Sequence, residues 1–453
     1  MSATKSYVKK NLSLAWPLAM NALLMQSMLM IDTLLVSPLG EISLAALGIA
    51  TTIVAFVMGI QMALANGTQL VLSRAVGAGV NASLNRGFWA GMAINFLVAL
   101  LFWTLIQVFD ASLIGALTDD KSLLATTQQY LSVAIHIVLL NAITQVIIAL
   151  FNAVGRTKVP FKGYLIEMPL NGLMSYFLIY GFAGFEGFGV TGAALGSLVA
   201  ILVRLAFLCY CMKIDPNIQV STRELDASMK SNIVNHFKEI FPVAANVTML
   251  AIGATIYQLL YSQLNINAYV AITIMMPWIK AGTQFITAWA HSSAISLSQA
   301  IGSRDLKDLD KKLNVSIDMA VGISVVSCVF FLILSYFITD IYPDLDDSTY
   351  VALATIAPLY IFLPLVRGYN TVHGHALRAL GKTTEVFKVN FTGQWIVSIP
   401  LCALIIFVFD GSIFWAFAVM PFEEIVKMLP FRHLARQAVK EFDQDKADKL
   451  LYD

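Results

Sequence analysis

What most constrains this chain is its succession of apolar stretches. Twelve of them, at roughly 12–36, 44–74, 87–109, 123–153, 158–181, 188–212, 237–262, 267–299, 313–340, 347–378, 384–409 and 411–430, interrupt an otherwise polar sequence. A helix rising about 1.5 Å per residue crosses a hydrocarbon core about 30 Å thick in about 20 residues, so each stretch is long enough to span a bilayer. Lipid admits only helices and closed barrels, because every backbone N–H and C=O must find its partner within the protein. The runs are continuous and lack the period-two alternation of barrel strands, which predicts helices. Composition agrees: 58% of residues are hydrophobic and 13% charged, against about 25% charged in soluble domains.

The net charge of +1 argues against nucleic-acid or acidic partners, and its distribution says more than its sum. Lys and Arg gather in the N-terminal segment and alternate connections, among them Lys9, Arg86, Arg156, Lys238 and Lys312. The opposite connections carry Glu41, Asp110, Asp119, Glu186, Asp344 and Asp410, with Lys121 the one basic residue there. The positive-inside rule places the basic side, and with it both termini, in the cytoplasm. Cys209, Cys211, Cys328 and Cys402 lie in apolar runs and read as packing residues, not disulfides. The basic N-terminus resembles a signal peptide, but its apolar run continues to Val36 without a cleavage site and reads as a retained first helix.

Internal repeats organise the chain. At an offset of 225, "WPLAMN" (16–21) lies over "FPVAAN" (241–246) and "LSRAVGAG" (72–79) over "LSQAIGSR" (297–304). At 226, "NAVGRTK" (152–158) lies over "RALGKTT" (378–384). The expected architecture is all-α and integral to the membrane, with twelve transmembrane helices in two six-helix lobes. The boundaries are 1–214 for the N-lobe, 215–235 for a cytoplasmic linker, 236–431 for the C-lobe and 432–453 for a cytoplasmic tail. Six is even, so the halves are parallel pseudo-repeats about an axis along the membrane normal, with a central cleft between them. That arrangement favours a secondary transporter.

These residues resemble a known family, the multidrug and toxic compound extrusion (MATE) transporters. The resemblance is carried by "MIDTLLVSPLGEISLAALGIA", "AVGAG", "NAVGRTKVP", "FLIYGFAGFEGFGVTGAALGS" and "LRALGKTT", in this order along nearly the whole chain. It implies a bacterial inner-membrane exporter of amphipathic, often cationic drugs and dyes, driven by inward flow of protons or sodium ions. It implies no cofactor beyond that coupling ion, and no nucleic-acid partner; a monomer is expected. No Walker A, His-Glu-x-x-His or Gly-x-Ser-x-Gly pattern points to an ATPase or an intramembrane enzyme. A lipid-linked precursor flippase is the rival, and the sequence offers few intramembrane basic residues for its pyrophosphate.

Asp32 stands inside the apolar "MLMIDTLLV". An ionised aspartate deep in a span costs about 2.5 to 3.5 kcal/mol, so it faces protein or water, and a proton or bound cation can neutralise it. The resemblance places the coupling carboxylate in this Asp-Thr pair, Asp32–Thr33. It implies partners on the fifth span at Asn-x-x-x-Asp/Asn, matched by Asn171 and Ser175, the serine replacing the acidic residue of some branches. Glu167 precedes them by four and eight residues, on the same helical face and about 12 Å from Ser175 along the axis, and is a second titratable candidate. Under the repeat, Asp32 maps to Tyr257 and Thr33 to Gln258, so the seventh span has no carboxylate. Arg367 occupies a tenth-span position that is acidic in some sodium-coupled relatives, which places coupling in the N-lobe and favours protons. Asn21, Gln26 and Gln61, with Tyr257, Gln258 and Arg367, are candidate cleft residues. His136, His291, His373 and His375 lack metal-ligand spacing, and some of the 18 Met are expected to line the cleft.

Overall fold

A computed structural model describes residues 2–115, 120–182, 184–216, 218, 220–221, 229–343 and 345–452. Part of the expected linker, with Arg223, and the charge-sorting residues Asp119 and Asp344 lie outside the described residues. In chain order the helices are α1 (Ser2–Val36), α2 (Glu41–Ala78), α3 (Asn81–Gly115), α4 (Lys121–Ala153), α5 (Lys158–Tyr180) and α6 (Val190–Ile214). They continue with α7 (Met229–Tyr261), α8 (Ile266–Gly282), α9 (Gln284–Gly302), α10 (Leu309–Tyr336), the short α11 (Ile338–Ile341) and α12 (Asp347–Ala379). The last are α13 (Thr383–Phe391), a π-helical turn (Thr392–Ser398), α14 (Ile399–Phe407), α15 (Ile413–Lys440) and α16 (Gln444–Tyr452). A two-residue hairpin, β1 (Gly181–Phe182) against β2 (Phe185–Glu186), joins α5 to α6.

Among the described residues nine helices are long and apolar enough to cross a membrane. The remaining three expected spans are the fifth, the eighth and the twelfth. The fifth, α5, holds Glu167; the eighth breaks at Thr283 into α8 and α9; the twelfth, α15, holds Glu423, Glu424 and Lys427. Polar residues lower the hydropathy of the fifth and twelfth, the break leaves α8 only 17 residues long, and all three line the cavities described below.

The sequence repeat reaches the backbone. Gly79 ends α2 in the left-handed region at φ 68°, its N–H bonded to Ala75 and Val76 oxygens. Arg304, 225 residues later, has φ 58° although it is not glycine. Gly155 (φ 80°) and Gly381 (φ 76°) repeat one another at the 226 offset. A left-handed residue satisfies the last carbonyls of a helix and turns the chain, so both halves close their second and fourth spans by one device.

By compactness the chain forms two units, residues 20–244 and residues 1–19 with 245–453. The cuts fall after Ala19 and Ala244, themselves 225 apart, each two residues beyond a helix-interior proline, Pro17 or Pro242. Thus α1 begins in one unit and continues in the other, and α7 does the converse. Side chains anchor these leading segments. In the unit of residues 1–19 with 245–453, Ser296 Oγ donates to Asn11 Oδ1 at 2.6 Å and Lys10 Nζ to Gln299 Oε1 at 2.9 Å. In the 20–244 unit, Thr68 Oγ1 lies 2.9 Å from His236 Nε2, and Arg74 pairs with Glu239. Asn11 and His236 are equivalent under the repeat.

Within the 20–244 unit, α2 packs along α4 and α5 along α6, around Leu47, Val57, Val138 and Ala142. Within the other unit, α12 packs against α15, α10, α9 and α8, around Met275, Tyr360, Leu363 and Phe417.

Candidate functional site

The approach of α5 to α6 builds the first site. A Cβ at Gly192 would collide with the Leu178 backbone and one at Gly196 with Ser175, whose N would lie 2.6 Å away. The missing side chains of "TGAALGS" therefore let the two helices meet, and the meeting carries Ser197 and Ser175 to one carboxylate. Ser175 Oγ donates to Asp32 Oδ1 at 3.3 Å and Ser197 Oγ to Oδ2 at 3.2 Å, while Asn171 Nδ2 donates to Ser197 Oγ at 2.7 Å. Asp32 is 7% exposed, and among the described residues no basic side chain pairs with it. Asn171 Oδ1 is buried with no donor among the described residues.

Asp32, Asn171 and Ser197 line a cavity of about 330 Å³ within the 20–244 unit, walled in part by Met25, Met28 and Met58. Glu167 lines the same cavity, but differently. Arg204 of α6 reaches its Oε2 through Nη1 at 2.5 Å, and the guanidinium lies 4.3 Å from the Tyr164 ring centroid. Both carboxylates are buried; only Glu167 has its counter-charge in place.

The structure thus brings together Asp32, Asn171, Ser175 and Glu167. Thr33 is exposed, its hydroxyl donating to Leu29 O. Gln26 is exposed and Asn21 buried, and neither is among the cavity walls. Gln61 is buried as a strut, donating to Val138 O at 2.9 Å and accepting from Asn141 Nδ2 at 2.7 Å. Ser197 and Arg204 escaped the sequence reading. Arg204 had a visible signal, a lone cation in "AILVRLAFL"; Ser197 had only its place in a small-residue motif.

A second cavity, about 390 Å³, lies within the 245–453 unit, and Tyr257, Gln258 and Arg367 all line it. Its carboxylates come from α15. Tyr257 Oη donates to Glu423 Oε2 at 2.9 Å, and Lys427 Nζ lies 2.9 Å from Glu423 Oε1 and 3.4 Å from Glu424 Oε2. Arg367 Nε lies 3.4 Å from Glu424 Oε1, and Asn370 Nδ2 donates to Oε2 at 2.8 Å. Sequence reasoning sought acidic groups at the repeat partners of Asp32 and so passed over α15, although "EEIVK" stands out in that span.

Two lobes of apolar helices, each enclosing a cavity with buried charges, define a multipass membrane protein of the two-lobed, twelve-helix transporter class. The MatE family model matches residues 17–177 and 242–404, one match per half, so the chain belongs to the MatE family. It is 24% identical over 387 residues to the "Probable multidrug resistance protein NorM" of Rhizobium meliloti, covering 82% of each chain. It is 22% identical over 403 residues to the "Uncharacterized transporter YisQ" of Bacillus subtilis, covering 86% of each. The bent form of the Vibrio cholerae MATE transporter VcmN superposes with a TM-score of 0.85 at 17% identity, covering 98% of this chain and 100% of that one. Solved members have twelve helices in two lobes, as here.

Proposed function

We propose that the protein is a multidrug efflux transporter that exports amphipathic, cationic organic compounds by antiport with protons, and that Asp32 is the coupling group. It works as a monomer in the bacterial inner membrane with both termini in the cytoplasm. One observation carries the reading: Asp32 is a buried carboxylate on a cavity wall, held by hydroxyls and, among the described residues, matched by no cation of its own. An unpaired buried carboxylate is neutral or binds a cation, and either partner leaves when the other arrives. A proton and a cationic drug competing for one aspartate make an exchanger. Family membership and the multidrug-resistance names of relatives support the efflux direction. The methionine walls support breadth of substrate, since thioethers repack around dissimilar shapes.

Sodium is the second reading, and Asn171 favours it. A carboxylate, a hydroxyl and the unpartnered Asn171 Oδ1 are oxygen donors of the kind hard cations take. Proteoliposomes loaded with a cationic dye and given separate proton and sodium gradients decide between them. Dye movement under the proton gradient alone, lost in Asp32→Asn, is the expected result; movement under sodium alone reassigns the ion. Movement unchanged in Asp32→Asn removes Asp32 from the coupling role.

A further inference from the structure

The sixth span of each half is followed by a segment that turns back on its own unit, and the two segments seat on equivalent positions. Beyond α6, the Ser221 N–H donates to Asn85 Oδ1 and Trp89 Nε1 donates to Ser221 O, both at 3.1 Å. Beyond the twelfth span, Arg436 Nη1 donates to Asp310 Oδ1 at 2.9 Å and its Nη2 to Asn314 Oδ1 at 2.6 Å. Asp310 and Asn314 are Asn85 and Trp89 displaced by 225 residues. One place, the first turns of the third span, is therefore used twice.

A second seat repeats as well. Beside the left-handed Gly155, Arg156 Nε lies 3.4 Å from Asp215 Oδ2. At Gly381, its partner under the 226 offset, α16 packs so closely that a Cβ would fall 2.7 Å from Leu450 Cδ2. Each trailing segment thus ties the start of the third span and the end of the fourth to the end of the sixth.

The two straps differ in what holds them. In the 20–244 unit, Ile218 is buried in a core with Leu84, Phe88 and Tyr164, and the Ser221 contacts are neutral hydrogen bonds. In the other unit the C-terminal segment depends on charge. Arg436 pairs with Asp310, and Arg304 Nη2 with Asp448 Oδ1 at 2.7 Å, through side chains that are 38% to 61% exposed. Arg304 stands where the first half has Gly79, and a non-glycine residue at φ 58° is strained; here its side chain is what holds α16. Nine residues are too few for a stable isolated helix in water, so the order of α16 depends on docking. Exposed ion pairs weaken as salt screens them, the Debye length falling from about 30 Å at 0.01 M to about 3 Å at 1 M.

We propose that the C-terminal segment is a salt-sensitive strap: docked, it braces the ends of α9 and α12 and the start of α10 against α15, and its release slackens them and lowers transport. In a carrier whose lobes move as bodies about a fixed site, slack within a lobe dissipates the motion. The strap is independent of which ion or drug is carried.

The test is hydrogen exchange read by mass spectrometry on the full-length protein in lipid nanodiscs, paired with gradient-driven dye transport in proteoliposomes. Raising salt from about 20 mM to about 500 mM is expected to speed wild-type exchange at least about tenfold in residues 441–452, 301–309 and 379–383, while 152–158 changes less than about twofold. Asp448→Arg is expected to give the same pattern at low salt and to lower dye transport at least about threefold. Arg304→Asp combined with Asp448→Arg rebuilds the pair with its signs exchanged and should return both readings to wild type. The exchange reading stands whether or not the dye is a substrate. Exchange in 441–452 that is already fast at low salt overturns the docked strap. A tail freed by Asp448→Arg that leaves 301–309 and 379–383 protected, or dye transport unchanged, overturns the brace.

Discussion

At the scale of single residues, two buried carboxylates share one cavity and are prepared for different work. Glu167 is neutralised by Arg204 within the protein, whereas Asp32 is held by hydroxyls that leave its charge unmatched. Removing one partner of a buried ion pair strands the other, so Arg204→Gln is expected to destabilise the protein by about 3 kcal/mol. Glu167→Gln together with Arg204→Gln should recover much of that loss; a double-mutant cycle by thermal unfolding in detergent measures it. Asp32→Asn is expected to do the reverse. It should leave the unfolding temperature unchanged or higher, because the cost of burying a charge disappears, while cutting gradient-driven dye efflux at least about tenfold. Asp32 was legible in the sequence because a charge among apolar residues announces itself. Arg204 makes Glu167 an ion-pair partner, which no residue count along α5 reveals.

At the scale of elements, the site depends on how closely two helices approach. Gly192 and Gly196 remove the side chains that would hold α6 away from α5, and Ser175 and Ser197 reach Asp32 only from that distance. Gly196→Ala places a methyl against the Ser175 backbone. Overpacking of this kind costs typically about 1 to 3 kcal/mol, and dye efflux should fall with it even though no group that touches the ion has changed. Gly48→Ala, with open space at its Cβ, is the matched control and should behave as wild type. The pairing also explains why "TGAALGS" could be recognised as a motif before its purpose could be seen: the glycines act through a neighbour 20 or so residues away. The twelve spans themselves were visible because hydrophobic length is local. The break at Thr283 and the π-turn at Thr392–Ser398 were not, since each depends on what packs beside the helix.

At the scale of the whole molecule, the leading segments of α1 and α7 belong to the units opposite their sequence halves. A chain cut in the connection between α6 and α7 therefore separates each unit from a segment that its side chains bind. Residues 1–221 expressed alone are expected to be polydisperse in detergent, and co-expression with residues 229–453 should restore a monodisperse, dye-transporting complex; size-exclusion chromatography and efflux read the two outcomes. The repeat offset of 225 survives at every level, from "WPLAMN" over "FPVAAN" to Gly79 over Arg304 and to the two cut points. What the two halves do not share is chemistry: Asp32 faces one cavity without a counter-ion among the described residues, while Glu423 and Glu424 face the other already paired. By itself, the sequence determined the membrane, the helices, their pairing into two halves and the lone aspartate, because hydrophobic length, charge sorting and repetition are written locally along the chain. Only the tertiary structure decided which carboxylates are neutralised and which segments cross between units, because a counter-charge acts through space and its distance in sequence carries no trace of it.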